Sequence, residues 1–296
     1  MVDFRGAPFK EAGVQDFRVQ EIRPVQENRE HMNSVDALTA NPVNRSNYAS
    51  ASHDHTIKLW DANSHSCLKT LRGHTDGVWS LNYLQDGRRL ISASVDGTAR
   101  LWDTNTGQST ATLAFHANKV YTAVVNEDMS MAASVGSDRK IAIWDLRNTN
   151  QPLFVNEDST ASVTCCDFSN DQKSVITATF NGKVNVIDLE TRERRVDYDI
   201  MFLQPDEDQE TMCYHLASVK NHPVGGNCFV LSSAVGIPNV ILYEGWHNEP
   251  LHRLETVGKY FGHTSAIRYC DFSPDNSKLL SCAADHSVRV WDRESE

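Results

Sequence analysis

Along this chain apolar residues come in short runs broken at close intervals by turn-forming residues, and no stretch sustains the spacing of an amphipathic helix. The segments "RLISASV" (Arg89–Val95) and "TARLWD" (Thr98–Asp103) each have the length of one strand. The Asp96-Gly97 pair between them is a tight-hairpin signal. "LQDGRR" and "SPDNSK" place Asp-Gly and Pro-Asp-Asn turn chemistry at equivalent points of two distant segments. An all-β chain of short, hairpin-linked strands is predicted.

The pattern repeats. Trp-Asp pairs stand at Trp60-Asp61, Trp102-Asp103, Trp144-Asp145 and Trp291-Asp292, the first three 42 residues apart. Weaker copies, Ile187-Asp188 and Tyr243-Glu244, fill the gap and bring the number to six. Spacing inside a copy is stricter than the overall period. His74, His116 and His263 each precede an Asp (Asp96, Asp138, Asp285) by 22 residues. A hydroxyl (Ser92, Ser134, Ser281) stands four before that Asp, and a Trp (Trp102, Trp144, Trp291) six after it. The first copy has Ser50, Asp54 and Trp60 in the same relation, with His31 one residue further away. The fourth keeps Thr177 but has Asn181 and Ile187, and the fifth keeps only Ser233. Those two copies are expected to rely on apolar packing, such as Val184, Val186, Ile187 and Val240–Leu242.

With the Gly73-His74 and Gly262-His263 dipeptides, the Asp turns and the Trp-Asp ends, residues 17–296 resemble the WD-repeat family. The resemblance implies a six-bladed β-propeller, its four-stranded antiparallel blades ringing a central channel. The blades fall near residues 31–72, 73–114, 115–156, 157–203, 211–260 and 261–296 in a single propeller domain, behind an N-terminal arm at 1–16. It also implies a buried relay in each complete blade, from indole N–H to hydroxyl, hydroxyl to His, and His to Asp. The trio Ser92, His74 and Asp96 invites a catalytic reading as well. A nucleophile, however, occurs once, in a cleft with an oxyanion hole, and this set recurs with a Trp at fixed distance. A structural network is the better reading.

The last copy stops after its third strand. "DFRVQEIRPVQ" (Asp16–Gln26), with Pro24 and many charges suited to an outer edge, is the expected supplier of the fourth, so that residues 17–29 close the ring. The alternative is a ring completed by a partner's blade, because the residues before His31 are too few for a seventh.

Composition narrows the function. Acidic residues number 39 against 28 basic, a formal charge of -11, and the longest basic stretch, Arg192–Arg195, is interrupted by Glu193. A phosphate-binding surface needs clustered Lys and Arg, so nucleic acid is disfavoured as the main ligand. No apolar run approaches a membrane span and Met1–Lys10 has no apolar signal core, so a soluble cytoplasmic or nuclear protein is expected. The seven cysteines show no CxxC spacing and fit reduced thiols. No metal site, cofactor or membrane insertion is expected. With no unrepeated His/Asp/Glu cluster in view, an enzyme is disfavoured.

The leading reading is a non-enzymatic scaffold or complex subunit that holds other proteins. The family resemblance implies a ring face to which each blade contributes two positions, five residues after the His and one before the Asp. The first set is Asp36, Trp79, Tyr121 and Arg268, with Thr164 by alignment of Val163 with Val78 and Val120. The second is His53, Val95, Ser137, Phe180 and Ala284. Trp, Tyr, Phe and Arg dominate protein interfaces, which makes Asp36, His53, Trp79, Tyr121, Thr164, Phe180 and Arg268 the candidate partner-binding set. Capping the channel is the competing reading for Trp79 and Tyr121. A second functional reading is a substrate receptor of a cullin-RING ubiquitin ligase. "ASVGSDRKIAIWDLR" (Ala133–Arg147) resembles the box that docks such receptors, through Asp138, Trp144, Asp145 and Arg147. The acidic loop "QPDEDQE" (Gln204–Glu210) reads either as a solvated insertion or as a partner contact.

Overall fold

A computed structural model describes residues 30–169 and 171–199, and beyond them the strands at 216–221, 228–233, 239–244, 255–261, 267–272, 278–283 and 288–292; side chains are described up to residue 194 and at Ser281. The closing segment Asp16–Gln26, the acidic loop Gln204–Glu210, His263, Ala284 and Asp285 therefore lie outside the described residues, as do the side chains of Arg268 and Trp291. The chain divides into two compact units, Arg23–Val163 and Met1–Ile22 with Thr164–Glu296.

The unit Arg23–Val163 holds three antiparallel sheets, each four consecutive strands paired in chain order. The first is β1 (Val35–Ala40), β2 (Asn47–Ser52), β3 (Thr56–Asp61) and β4 (Ser66–Arg72). The second is β5 (Val78–Tyr83), β6 (Arg89–Ser94), β7 (Thr98–Asp103) and β8 (Ser109–Ala114). The third is β9 (Val120–Val125), β10 (Met131–Gly136), β11 (Ile141–Asp145) and β12 (Phe154–Asn156). Burial explains the composition of these strands. Five consecutive residues of β6 and of β10 are buried, because both faces of a middle strand are covered, and the sequence there is a run of small and branched residues without alternation. The outer strand β8 alternates between half-buried and exposed over its first four positions, as one covered face requires.

Adjacent sheets pack face to face. Ala49, Ala51, Ile57, Leu59 and Leu71 of the first sheet form one core with Val78, Leu81, Leu90 and Trp102 of the second. Ile91, Ala93, Ala99, Leu101 and Leu113 continue against Val120, Ala123, Ala132, Ala142 and Trp144 of the third. A fully buried Leu or Ile in such a core stabilises by about 1.5–3 kcal/mol.

The unit containing Thr164–Glu296 repeats the plan. β13 (Val163–Phe168), β14 (Ser174–Thr179), β15 (Lys183–Asp188) and β16 (Arg194–Asp199) form one four-stranded sheet. β17 (Leu216–Asn221), β18 (Cys228–Ser233), β19 (Asn239–Glu244) and β20 (Glu255–Phe261) form another. The last has three strands among the described residues, β21 (Ile267–Phe272), β22 (Lys278–Ala283) and β23 (Val288–Asp292). Val184, Val186 and Ile187 are fully buried, so the fourth copy fills with aliphatic side chains the volume that Trp takes elsewhere. The fifth copy, whose landmarks are nearly erased, still makes a complete antiparallel sheet, with Leu231 opposite Ile241.

Candidate functional site

Two sets of side chains recur from sheet to sheet, one inside the molecule and one at its surface. The inner set lies at the strand ends near the β2–β3 type of turn. In the second sheet the Trp102 indole N–H donates to Ser92 Oγ (2.8 Å), Ser92 Oγ lies 2.7 Å from His74 Nε2, and His74 Nδ1 lies 2.7 Å from the Asp96 carboxylate. The third sheet has Trp144, Ser134, His116 and Asp138 in the same chain at 3.0, 2.9 and 3.0 Å. The first has Trp60, Ser50, His31 and Asp54 at 2.8, 2.7 and 2.8 Å. Asp96 also accepts from the Thr75 N–H and from Thr98. Burial raises its pKa, but the bonds from His74, Thr98 and Thr75 outweigh that and hold the carboxyl well below the usual range. Asp54 and Asp138 are lowered in the same way, burial again being outweighed by their hydrogen bonds. The order hydroxyl, imidazole, carboxylate is that of a catalytic triad. Ser92, though, is fully buried and already accepts the Trp102 N–H, so no substrate carbonyl can reach it. In the fourth copy Thr177 occupies the serine position, fully buried, and its Oγ1 has no hydrogen-bond partner among the described residues. Ser281, the serine of the last copy, is buried.

The surface set is built by β-bulges. In the first sheet Val35 pairs with Ser52 and Ala37 with Ala51, leaving Asp36 as an extra, unpaired residue. Trp79 is left out in the same way between Val78 and Ser80, and Tyr121 between Val120 and Thr122. In the last sheet the extra residue is Arg268, between Ile267 and Tyr269. A bulge turns its extra side chain out of the regular pleat, and Asp36, Trp79 and Tyr121 are joined into one row, Asp36 through His53. Trp79 and Tyr121 stack with ring centroids 5.2 Å apart and planes 14° from parallel. The His53 ring sits 5.9 Å from Trp79, its plane tilted by 44°. Gly77 leaves room for it, since a Cβ there would stand 3.1 Å from the imidazole. His53 Nδ1 lies 2.8 Å from the Asp36 carboxylate and 3.4 Å from the Trp79 indole nitrogen. One ring nitrogen cannot donate to Asp36 and accept from Trp79 together. The shorter contact makes Nδ1–H the donor to Asp36 and leaves the indole N–H open to another acceptor. Lys119 completes the group, its ammonium 5.3 Å from the centre of the Trp79 ring.

The structure thus brings together Asp36, His53, Trp79 and Tyr121 of the candidate partner-binding set, in a half-exposed row across three sheets. Thr164 lies in the other unit, where its hydroxyl donates to the Ala178 carbonyl (3.1 Å). Phe180, in the same unit, is 48% exposed at the β14–β15 turn. Sequence reasoning missed Lys119 and the Asp36–His53 pair. The available signal for Lys119 was its place directly before the first strand's Val, where the preceding copy has Gly77.

Among the described residues no group of three or more His, Cys, Asp or Glu side chains is arranged to hold a metal ion, and no helix is long and apolar enough to cross a membrane. Of the segment that resembles a ligase docking box, Trp144 is fully buried and Asp138 is engaged by His116. Arg147 is different. Its side chain is 83% exposed and its guanidinium forks onto Asp145 at 2.9 and 2.7 Å, which draws the Asp145 carboxyl down to about 2 and raises Arg147.

Comparison with known proteins agrees with this geometry. The family model for the WD domain, G-beta repeat, matches residues 22–61, 65–103, 107–145, 150–188 and 254–292. Echinoderm microtubule-associated protein-like 4 of Mus musculus is 29% identical over 131 residues, covering 44% of this chain and 12% of that protein. Target of rapamycin complex subunit wat1 of Schizosaccharomyces pombe is 25% identical over 175 residues, 50% of this chain and 56% of that one. DDB1- and CUL4-associated factor 11 homolog of Caenorhabditis briggsae is 24% identical over 131 residues, 44% of this chain and 21% of that one. The chain spans less than two thirds of the length of each. A chain of a Mitotic Checkpoint Complex crystal structure superposes with a TM-score of 0.78 at 18% identity, covering 91% of this chain and 77% of that one, a likeness of fold.

Proposed function

Since this chain belongs to the WD domain, G-beta repeat family, and its fold is accordingly a WD-repeat β-propeller, we propose that it is a non-enzymatic scaffold or complex subunit holding partner proteins on the face that carries Asp36, His53, Trp79 and Tyr121. The observation that carries this reading is the bulge-built aromatic row. Three sheets each spend a backbone irregularity on turning one of these residues outward, and once His53 Nδ1 donates to Asp36 the Trp79 indole N–H has no acceptor among the described residues. A stacked Trp–Tyr pair needs little ordering on binding and offers large area, as interface centres do. The similarity to wat1, a complex subunit by name, supports a place within an assembly. A cytoplasmic or nuclear setting is part of the proposal.

The test is Trp79→Ala combined with Arg268→Glu, which removes one bulge residue from the row and reverses the charge of another in the last sheet. Affinity for the main partner identified by co-purification should fall by at least about tenfold, or about 1.4 kcal/mol. Trp79→Phe, which keeps the stack and loses only the N–H, should fall between wild type and the double variant. Wild-type affinity in the double variant would place the partner elsewhere.

A second reading, a cullin-RING substrate receptor, is favoured by one observation. Arg147 forks onto Asp145 yet stands out in solvent, as a docking residue would, and the similarity to a DDB1- and CUL4-associated factor homolog is in keeping with it. Arg147→Ala should then abolish co-purification of the ligase adaptor while circular dichroism and melting stay unchanged. An adaptor absent from wild-type purifications would remove this reading.

A further inference from the structure

At the ends of the strands opposite the aromatic row, a cavity of about 400 Å³ opens between the first and second sheets. Ligand pockets run roughly 300–1,000 Å³, so it is large enough to hold several side-chain-sized groups. Its inner end is locked. Asn41 Nδ2 donates to the Gly87 carbonyl (2.7 Å), and Asn41 Oδ1 accepts from the N–H groups of Val43 (2.9 Å) and Asn44 (2.8 Å). Gly87 is left-handed (φ 65°), and a Cβ there would stand 2.5 Å from Asn41 Oδ1. The two loops close on each other only through glycine, and the hollow between them is preformed.

Its lining is chemically divided. The apolar part is Leu59 and Tyr83, with Val43 and Leu68 standing 68% and 50% exposed at the edge. Leu68 is itself the extra residue of a bulge, since Leu59 pairs with Lys69 and Trp60 with Cys67. The charged part is positive. Lys69 donates to the carbonyls of Thr104 and Asn105, which fixes its ammonium in place. Arg88 has its carbonyl held by the N–H and the hydroxyl of Thr104 (2.9 and 2.8 Å), while its exposed guanidinium has no hydrogen-bond or ion-pair partner among the described residues. Asp86, the carboxylate on the lining, is already engaged by the backbone N–H groups of Arg88 and Arg89 and by Arg89 Nε at 2.7 Å. A chain of net charge -11 therefore presents the Arg88 guanidinium here with no carboxylate partner among the described residues, beside Lys69, whose charge Asp103 meets from outside the pocket.

We propose that this cavity is a second binding site, for an extended segment of a partner protein that inserts an aliphatic or aromatic side chain and sets an Asp or Glu carboxylate against Arg88 and Lys69. A free anion would use the cations and leave the exposed Val43 and Leu68 uncovered. A purely apolar segment would leave Arg88 unanswered. The two parts of the lining fit one ligand only if it carries both kinds of group, and guanidinium–carboxylate pairing at a partly enclosed rim supplies the specificity. The site shares no residue with the aromatic row, so either can fail without the other.

The test uses the full chain as bait for a displayed library of random peptides of about a dozen residues, followed by fluorescence polarisation with the enriched peptide. Enriched peptides should share a large apolar residue within about three positions of an Asp or Glu. Arg88→Glu, a surface change, should weaken the peptide at least about tenfold, and replacing the peptide's acid by its amide should cost about the same in wild type and little in Arg88→Glu. Trp79→Ala should leave this affinity within about twofold. Enrichment without acids, unchanged binding to Arg88→Glu, loss of binding in Trp79→Ala, or no enrichment at all would each overturn the proposal.

Discussion

Asp96 concentrates what single residues do in this protein. Its carboxylate closes the Trp102–Ser92–His74 chain and also receives Thr98 and the Thr75 N–H, so removing it strands several donors at once. Asp96→Ala should destabilise by roughly 1–3 kcal/mol, the cost of unpaired buried polar groups, as a lower urea midpoint at neutral pH. The acid dependence has a definite sign. Asp54, Asp96 and Asp138 have pKa values lowered by folding, so the stability they contribute is fully present above the unfolded carboxylate value of about 3.9 and is lost as pH falls through the native values. Wild type should lose stability below about pH 4, and Asp96→Ala should lose it with a shallower slope. An equal slope in both would mean that Asp96 titrates alike folded and unfolded. The spacing of His, hydroxyl, Asp and Trp made these residues legible in the sequence, because a buried relay needs each member at a fixed place on its strand. The Asp36–His53 pair had no such signal, since Asp36 reaches His53 only after the bulge has turned it outward.

Strands and turns were the most legible scale. Every third strand ends on Trp-Asp or its weak copy, including β15 on Ile187-Asp188 and β19 on Tyr243-Glu244. The hairpin at Asp96-Gly97 is closed by the Gly97 N–H on the Ser94 carbonyl, with Gly97 at φ 83°. Equivalent turns put His55 and Arg139 at φ 68°, a conformation that costs a side-chain-bearing residue about 1 kcal/mol or more. Arg139→Gly should therefore stabilise by roughly 0.5–1 kcal/mol once the added chain entropy of glycine is subtracted, read as a higher thermal midpoint. A lower midpoint would show that Arg139 makes contacts worth more than its strain. The bulges were not legible. Nothing in "VDALTA", "VWSLNY" or "VYTAVV" marks the second residue as unpaired, because the extra residue appears only when the first strand is laid against the second.

At the scale of the whole molecule the fifth copy is instructive. No window of the family model covers residues 189–253, yet β17–β19 lie there and form a complete sheet with β20. A blade needs apolar strands of the right length more than it needs the polar relay. The last sheet, with three described strands, bears on the expectation that residues 17–29 complete it. If they do, deleting residues 1–26 exposes the outer edge of β23 and should lower the melting temperature by several degrees and promote aggregation. An unchanged melting temperature would mean that the fourth strand comes from elsewhere.

The sequence by itself determined the all-β class, the period, the ends of the strands and the members of the relay, because each depends on neighbours along the chain or on a spacing that a hairpin converts directly into contact. Only the tertiary structure decided which side chains touch. Trp79 stacks on Tyr121, His53 lies against Gly77, and Asn41 locks onto Gly87 because separate sheets pack face to face. Those contacts join positions on different sheets, far apart along the chain, and packing rather than local pattern chooses their partners.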